Sequence, residues 1–395
     1  MDKSQQTLIK RTTNWLETHW VTPAYGGWLL IIFGTCFFGA ATNTMAGWLY
    51  VISGIIAALL GLAAILPMRS LRNLSVSRKV IAPVTVGDLL TIELAIANPT
   101  SQPKTLLQVW DVLPSELGKP VTTPVEAIVP QGVHHWIYFQ PTNKRGIYYW
   151  QEVQLRTATP LGLFWCCRSR EARAKALVYP TVLPLTNCPL VDQIGTEDSV
   201  ELQSHHRSHS AMENLTRSLR PYRLGDPTRL IHWRTSARYG ELQVRELETF
   251  TGSQEVFICL DSSSSWQVDN FEAAVIAAAS MYFYALNRQL NVKLWTAKTG
   301  LLSGNQAVLE ALAGTHAGED AKVAQPPYLP LIWLTQNRVS LDSLPPGSRW
   351  LLWISTLTEN EAAQPVMSSH PGTGFVVDTA QSLHQQLQLR VGENK

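Results

Sequence analysis

A chain of 395 residues is long enough for two or three domains, each with a core of its own. Its net charge of +2 favours no class of partner, and its 16% of charged residues falls below the globular norm of about 25%. Five cysteines without a Cys-x-x-Cys pair argue against a disulfide framework and fit free thiols in a reducing compartment.

Residues 1–24 form an N-terminal segment. Leu8, Trp15, Leu16 and Trp20 recur at roughly helical spacing, with Lys3, Lys10 and Arg11 among them. An interfacial helix and a solvated leader both fit this pattern. From Trp20 to Met68 there is no Asp, Glu, Lys or Arg. A membrane span needs about 20 residues, so this stretch suits two transmembrane helices within residues 25–68, near 25–41 and 48–66, joined at 42–47. Trp28, Trp48 and Tyr50 suit the interfacial aromatic belt. Arg69, Arg72, Arg78 and Lys79 follow the second helix, and the joining loop carries no charge. The positive flanks predict a multi-pass protein of the plasma membrane, with both termini and the soluble domains in the cytoplasm. A buried hairpin of a soluble protein is the alternative.

Over residues 80–180 the pattern changes to period two. Leu90, Ile92, Leu94 and Ile96 alternate with Thr91, Glu93, Ala95 and Ala97, and turn signals such as Asn98-Pro99 and Pro130-Gln-Gly132 separate similar runs. This predicts an antiparallel, immunoglobulin-like β-sandwich. Residues 190–216 read as a polar linker. Its His205, His206 and His209 have no fourth ligand, so a solvated loop fits better than a metal site.

Residues 217–248 hold seven arginines and no lysine, with Tyr222 and Trp233 among them. Arginine without lysine points to planar, bidentate pairing. Three readings fit: internal pairing with Asp226, Glu241, Glu246 and Glu248; a surface for an acidic partner; and a nucleic-acid site. The low net charge and the apolar anchor argue against nucleic acid. Strand and helix patterns then alternate to the end of the chain: strands at 256–260, 292–295, 329–334, 350–354 and 374–377, helices at 271–289, 307–312 and 382–389. The alternation predicts a doubly wound α/β domain, so the whole chain reads as multidomain.

Two clusters carry a family likeness. The first comprises Arg220, Tyr222, Gly225 and Asp226; Ile231, Trp233, Ser236, Ala237 and Arg238; and Leu242, Arg245 and Glu246. The second is the apolar run 256–260 opening into Asp261-Ser-Ser-Ser-Ser265. Together they resemble the bacterial "domain of unknown function 58" family. Lys144-Arg-Gly146 and Thr159-Pro-Leu-Gly-Leu-Phe164 are similar to that family's β-domain signature. The α/β order of residues 217–395 resembles a von Willebrand factor A-type domain. The resemblance implies a membrane-anchored adaptor working with a MoxR-type AAA ATPase in complex assembly or envelope maintenance. Its partner-binding residues would be Arg220, Tyr222, Arg223, Asp226, Trp233, Arg234, Arg238 and Arg245. In von Willebrand A-type domains the Asp-x-Ser-x-Ser loop holds a divalent cation, so Asp261, Ser263 and Ser265 are candidate Mg2+ ligands. The full site also takes a threonine and an aspartate from two later loops. Thr335 and Ser355-Thr356 follow later strands here, and no aspartate follows either. Capping and loop hydrogen bonds explain Asp261 and the serines equally well.

The chain has no Gly-x-x-x-x-Gly-Lys-Ser/Thr, His-Glu-x-x-His or Gly-x-Ser-x-Gly motif. Cys259 lies within a strand pattern and reads as core. His232 could serve as a general base, but no nucleophile stands near it in sequence. The primary expectation is a protein-interaction adaptor and not an enzyme. A metal-dependent hydrolase centred on Asp261 and a purely structural membrane-complex subunit are the alternatives.

Overall fold

The computed structural model describes residue 17 and residues 20–194, 216–223, 231–247, 255–320, 325–354 and 373–389. The chain divides into two units, Met1–Tyr179 and Pro180–Lys395. Of the N-terminal segment that fitted either an interfacial helix or a solvated leader, Leu8, Trp15 and Leu16 lie outside the described residues.

In the first unit, a short strand β1 (Thr22–Pro23) leads into helix α1 (Tyr25–Thr44), and helix α2 (Gly47–Ser70) follows. Only Met45 and Ala46 separate the helices, and Met45 turns the chain with a left-handed φ of 51°. Both helices are longer than the hydropathy pattern suggested. Each is long and apolar enough to cross a membrane. Few of their side chains are buried: Gly27 and Ala41 in α1, and Leu49, Ser53, Ala63 and Pro67 in α2. Most of their apolar side chains are therefore exposed, Trp28, Phe33, Trp48 and Ile55 among them.

The rest of this unit is two sheets of mostly antiparallel strands. One comprises β2 (Ser75–Arg78), β4 (Leu89–Ala97) and β7 (Val133–Pro141) in the order β2-β4-β7. The other contains β5 (Lys104–Asp111), β6 (Val121–Ile128), β8 (Gly146–Thr157) and β9 (Phe164–Tyr179), in the order β1-β9-β8-β5-β6. The short strand β3 (Val84–Thr85) adds to β9 in parallel. The period-two pattern does its expected work: Leu90, Ile92, Leu94 and Ile96 are all 0% exposed, against Leu107, Val109, Val153 and Leu155 of the facing sheet.

Inside this core lies a charged pair. Arg78 Nη1 and Nη2 donate to Asp111 Oδ2 and Oδ1 at 2.5 and 2.9 Å, and neither side chain is more than 1% exposed. Tyr138 Oη and Trp150 Nε1 also donate to that carboxylate, at 2.6 and 3.1 Å. The Arg78 guanidinium stacks over the Trp150 ring. Four donors and a stacked ring offset the cost of taking both charges out of water. Burial, reinforced by Asp111, pushes the Tyr138 phenol well above its ordinary range.

The second unit is built on six strands: β12 (Glu255–Leu260), β13 (Asn291–Thr296), β14 (Gly300–Leu302), β15 (Leu331–Thr335), β16 (Arg349–Trp353) and β17 (Thr373–Val377). Their order is β14-β13-β12-β15-β16-β17. All pairs are parallel except β13–β14. The sequence pattern gave no sign of β14, a three-residue antiparallel edge. Three helices accompany the sheet: α5 (Val268–Asn287), α6 (Asn305–Gly314) and α7 (Leu383–Gln388). Ala274, Ala277, Ala278, Ala279 and Ala285 of α5 sit at 0% exposure in one core with Val256, Ile258 and Leu260, where small side chains let helix and sheet approach closely. The other face packs Phe257, Cys259, Trp295, Trp333 and Trp350. Cys259 is therefore core, and burial raises its thiol far above the range of a nucleophile. A short helix, α3 (Pro189–Asp192), also belongs to this unit.

Before β12 the chain forms a small strand–helix–strand piece. Strands β10 (Thr216–Pro221) and β11 (Gln243–Leu247) pair antiparallel, and helix α4 (Trp233–Tyr239) lies between them in sequence.

Candidate functional site

The central strand β12 has β13 on one side and β15 on the other. Chain order reverses between them, so the carboxyl ends of β12 and β15 flank a topological switch point, where open α/β sheets bind ligands. Asp261 follows β12 directly, and Thr335 is the last residue of β15.

The two residues meet there. Thr335 Oγ1 donates to Asp261 Oδ2 at 2.8 Å across 74 positions of sequence. Ser263 Oγ donates to Oδ1 at 2.9 Å and Ser264 Oγ to Oδ2 at 2.5 Å. Asp261 is 4% exposed and Thr335 is fully buried. The spacing had pointed to Ser265. That residue is exposed, and the hydroxyl on the carboxylate is that of Ser264. Neighbouring groups hold the loop: Trp266 Nε1 donates to the Asp261 carbonyl at 2.7 Å, and Ser262 Oγ accepts from Ala297 N–H at 3.1 Å. Thr335 Oγ1 itself accepts from Asn337 N–H at 2.9 Å and Ser340 Oγ at 3.2 Å. Ser355 and Thr356 lie outside the described residues.

A second carboxylate comes close by a route the sequence did not announce. The loop after α6 lies along the Asp261 loop, with Gly318 N–H donating to Ser264 O and Glu319 N–H to Ser262 O, at 3.2 and 3.0 Å. The Glu319 side chain is 7% exposed. Its Oε1 accepts from His316 N–H at 3.1 Å and stands 4.0 Å from Lys298 Nζ. Its Oε2 is buried with no hydrogen-bond partner among the described residues. No motif surrounds Glu319, and only these main-chain bonds reveal that its loop lies beside Ser262 and Ser264.

The donor set around Asp261 is one carboxylate and three hydroxyls. These are hard oxygens of the kind magnesium takes, and magnesium commonly keeps several waters and binds through one or two carboxylates. Among the described residues no group of three or more His, Cys, Asp or Glu side chains could hold a metal. Asp261, Ser263, Ser264 and Thr335 thus fit a weakly held hard cation and not a closed cage.

The arginine cluster takes a different form. In α4, His232 is the N-cap: its Nδ1 accepts from Thr235 N–H at 3.2 Å and lies 2.6 Å from Thr235 Oγ1. Gly240 closes the helix with a left-handed φ of 75°, which glycine adopts without strain. Ser236 is the one buried residue of α4, and its Oγ accepts from Gln243 N–H at 2.9 Å, tying helix to strand. His232 is therefore a structural cap here, not a poised base. The rest of the helix faces outward: Trp233 is 65% and Tyr239 70% exposed, and Arg234 and Arg238 are exposed one turn apart. Among the described residues neither arginine makes an ion pair. Arg220 pairs with Val244 in the β10–β11 ladder, and Arg245 pairs with Leu219. Tyr222 is half-buried and donates its N–H to Leu242 O at 2.8 Å, and Arg223 is exposed. Asp226 lies outside the described residues.

Residues 218–309 match the family model of the protein of unknown function DUF58. The match contains both the arginine-rich piece and the Asp261 loop, and it stops before Glu319 and Thr335. The chain is also 28% identical over 229 residues to the uncharacterized protein YeaD of Bacillus subtilis (strain 168). That alignment covers 56% of this chain and 54% of the relative, so it spans about half of the relative's length. Two solved structures resemble parts of the chain faintly. A CARDB domain from Pyrococcus furiosus, determined with two metal ions, is 14% identical over 27% of this chain and 94% of its own, with a TM-score of 0.18. A late embryogenesis abundant protein is 14% identical over 31% of this chain and 84% of its own, with a TM-score of 0.20.

Proposed function

We infer that this is a membrane-anchored docking protein of the DUF58 family. In this reading α1 and α2 cross the membrane, both ends of the pair face the cytoplasm, and the antiparallel unit is an immunoglobulin-like spacer. The second unit is a von Willebrand A-like domain that receives a protein partner. The single observation that carries the reading is the outward face of α4. Trp233, Arg234, Arg238 and Tyr239 are exposed together on a short capped helix, and the nearby Leu242 is 43% exposed. Tryptophan, tyrosine and arginine are the residues that dominate interface energetics. Like charges one turn apart cost a helix about 0.2–0.5 kcal/mol. Acidic groups on a partner would remove that cost. A MoxR-type AAA ATPase is the partner suggested by the family likeness.

The test is a pull-down of purified MoxR-type ATPase by the full-length protein in membranes. Replacing Arg234 and Arg238 with glutamate should weaken capture at least about ten-fold, because a hot-spot arginine contributes roughly 2 kcal/mol or more. Membrane retention and melting temperature should not change. Undiminished capture by the double variant would sink the assignment.

The Asp261 cluster favours a second reading, a weak magnesium site that takes part in docking or in hydrolysis. Asp261, Ser263, Ser264 and Thr335 would hold the ion, which would polarise an oxygen of whatever group completes its shell.

A further inference from the structure

The segment Thr159-Pro-Leu-Gly-Leu-Phe164 has no role in the reading above. It forms the turn between β8 and β9, and that turn is bonded directly to the start of α1. Thr22 pairs with Trp165 and Pro23 with Phe164, and Ala24 N–H donates to the Leu163 carbonyl at 2.8 Å. Gly27, in the first turn of α1, lies against the same carbonyl, where a Cβ would stand 2.2 Å from the oxygen. The start of β5 joins the cluster: Thr157 Oγ1 donates to the Leu106 carbonyl at 3.1 Å. The exit of α2 returns to the same sheet, where Arg170 Nε and Nη2 donate to the Leu74 and Leu71 carbonyls, both at 2.8 Å. The β8–β9 turn is thus level with the amino-terminal turn of α1 and fixed there by main-chain bonds.

This end of the unit is apolar and exposed. Leu106 is 67%, Leu161 42%, Trp20 67% and Tyr25 82% exposed, and Pro160 is exposed as well. No charged residue occurs from Thr157 to Cys167, and Arg156 and Arg168 bracket the stretch. The length of α1 sets the depth. Its 20 residues span about 30 Å, the thickness of a bilayer's hydrocarbon core, so the helix has no turn to spare. A bilayer that accommodates α1 from Tyr25 onward therefore has its boundary at the β8–β9 turn.

We propose that this end of the antiparallel unit is a membrane-contact surface. Leu106, Pro160 and Leu161 enter the boundary between headgroups and acyl chains beside Trp20 and Tyr25, and lipid covers them. Interfacial elements of this kind bury apolar side chains about 5–10 Å deep, with basic residues at headgroup level and aromatic rings in the same layer. The β-sheet unit is then seated on the bilayer at a third point, not hung from two helix ends. The proposal rests on the reading of α1 and α2 as spans.

The test uses the full-length chain in nanodiscs of phosphatidylcholine and phosphatidylglycerol, in a Cys36→Ser background. Single cysteines Leu161→Cys, Ile55→Cys and Tyr149→Cys carry an environment-sensitive fluorophore. Each is exposed to spin-labelled lipid and to aqueous iodide. Ile55 lies within α2 and is 63% exposed. Tyr149 is 65% exposed and eight residues before Thr157 on β8, about 26 Å from the turn. The Leu161 probe should be quenched by lipid label, with iodide access at least about three-fold below that at Tyr149, as an interfacial depth requires. Leu106→Cys should behave alike and reports the same surface should the turn variant fold poorly. If Ile55 is quenched by lipid but Leu161 and Leu106 are as open to iodide as Tyr149, the seating is wrong and the spans stand. If Ile55 is open to iodide and blind to lipid label, the spans fall and the seating falls with them.

Discussion

Asp261→Ala asks how much of the hydroxyl cluster is scaffold. The Thr335 hydroxyl is fully buried, so losing its bond to the carboxylate leaves a donor that water does not rescue. Bonds to a charged acceptor are worth about 1.5–3 kcal/mol each in such a setting. Ser263 is exposed and Ser264 half-buried, so their hydroxyls can turn to solvent, and each of those losses costs about 0.5–1 kcal/mol. The sum is about 2.5–5 kcal/mol. In a unit of this size each kcal/mol moves the melting temperature by roughly 2–4 °C, so Asp261→Ala should melt about 5–20 °C below the native protein. Asp261→Asn keeps the shape and one carbonyl oxygen, and should fall between the two. Intrinsic tryptophan fluorescence of the full-length chain in nanodiscs reads the transition, because Trp266 is bonded to the Asp261 carbonyl. A loss below about 2 °C for the alanine variant would refute the premise that these bonds hold the loop. The same melt, repeated with magnesium, separates the two roles. At ten times its dissociation constant a bound ion adds about 1.4 kcal/mol, or roughly 3–5 °C, to the native protein and nothing to Asp261→Ala. A native melt indifferent to magnesium shows that the chain alone holds no ion at that concentration and leaves the scaffold reading intact.

Two further outcomes test other parts of the structure. Asp111→Ala leaves the Arg78 guanidinium, the Tyr138 phenol and the Trp150 indole without their shared acceptor, all in a buried setting. It should destabilise the antiparallel unit by about 3–5 kcal/mol in a denaturant melt, and a change under about 1 kcal/mol would contradict the buried network. Burial raises the thiols of Cys167 to about 11 and Cys188 to about 12. With Cys166 and Cys259 buried as well, N-ethylmaleimide at pH 8 should leave these four cysteines of the folded, detergent-solubilised chain unmodified. Guanidinium should open all five cysteines, and early adducts at any of the four buried ones would show that their surroundings are looser than described.

What was legible in the sequence was what depends on near neighbours. Freedom from charge announced the helix pair. The alternation at Leu90–Ile96 announced β4, because a strand's faces follow period two whatever the partner. Five parallel strands fell within a few residues of their expected places, since each is a short apolar run between turn signals. What was not legible depended on the order of strands. Thr335 lies on Asp261 only because β15 joins the sheet beside β12. Glu319 lies beside the Asp261 loop only because the loop after α6 bonds to Ser262 and Ser264. Ser264 in place of Ser265 is a matter of how the chain leaves β12, which spacing alone does not fix. The arginine-rich stretch hid its strand–helix–strand form for another reason. Arginines recurring through both strands and the helix erase the apolar period that would betray either.

The chemistry of the cluster bears on how the two readings relate. In the structure three protein hydroxyls spend their protons on one carboxylate. Each hydroxyl oxygen still has lone pairs, so the same four side chains offer donors to the carboxylate or oxygens to a cation, according to how the hydroxyls rotate. Turning them toward a cation gives up the hydrogen bonds that hold the Asp261 loop, and a single carboxylate offsets little of magnesium's reluctance to shed water. A cation here would therefore be held weakly by this chain alone. An acidic side chain from a partner would supply the missing charge and raise the affinity for both ion and partner, and by linkage each would tighten the other by the same factor. On this argument magnesium should strengthen capture of the ATPase in the pull-down even where the isolated protein's melt moves little. Asp261→Asn should lower that dependence without touching the contribution of Arg234 and Arg238.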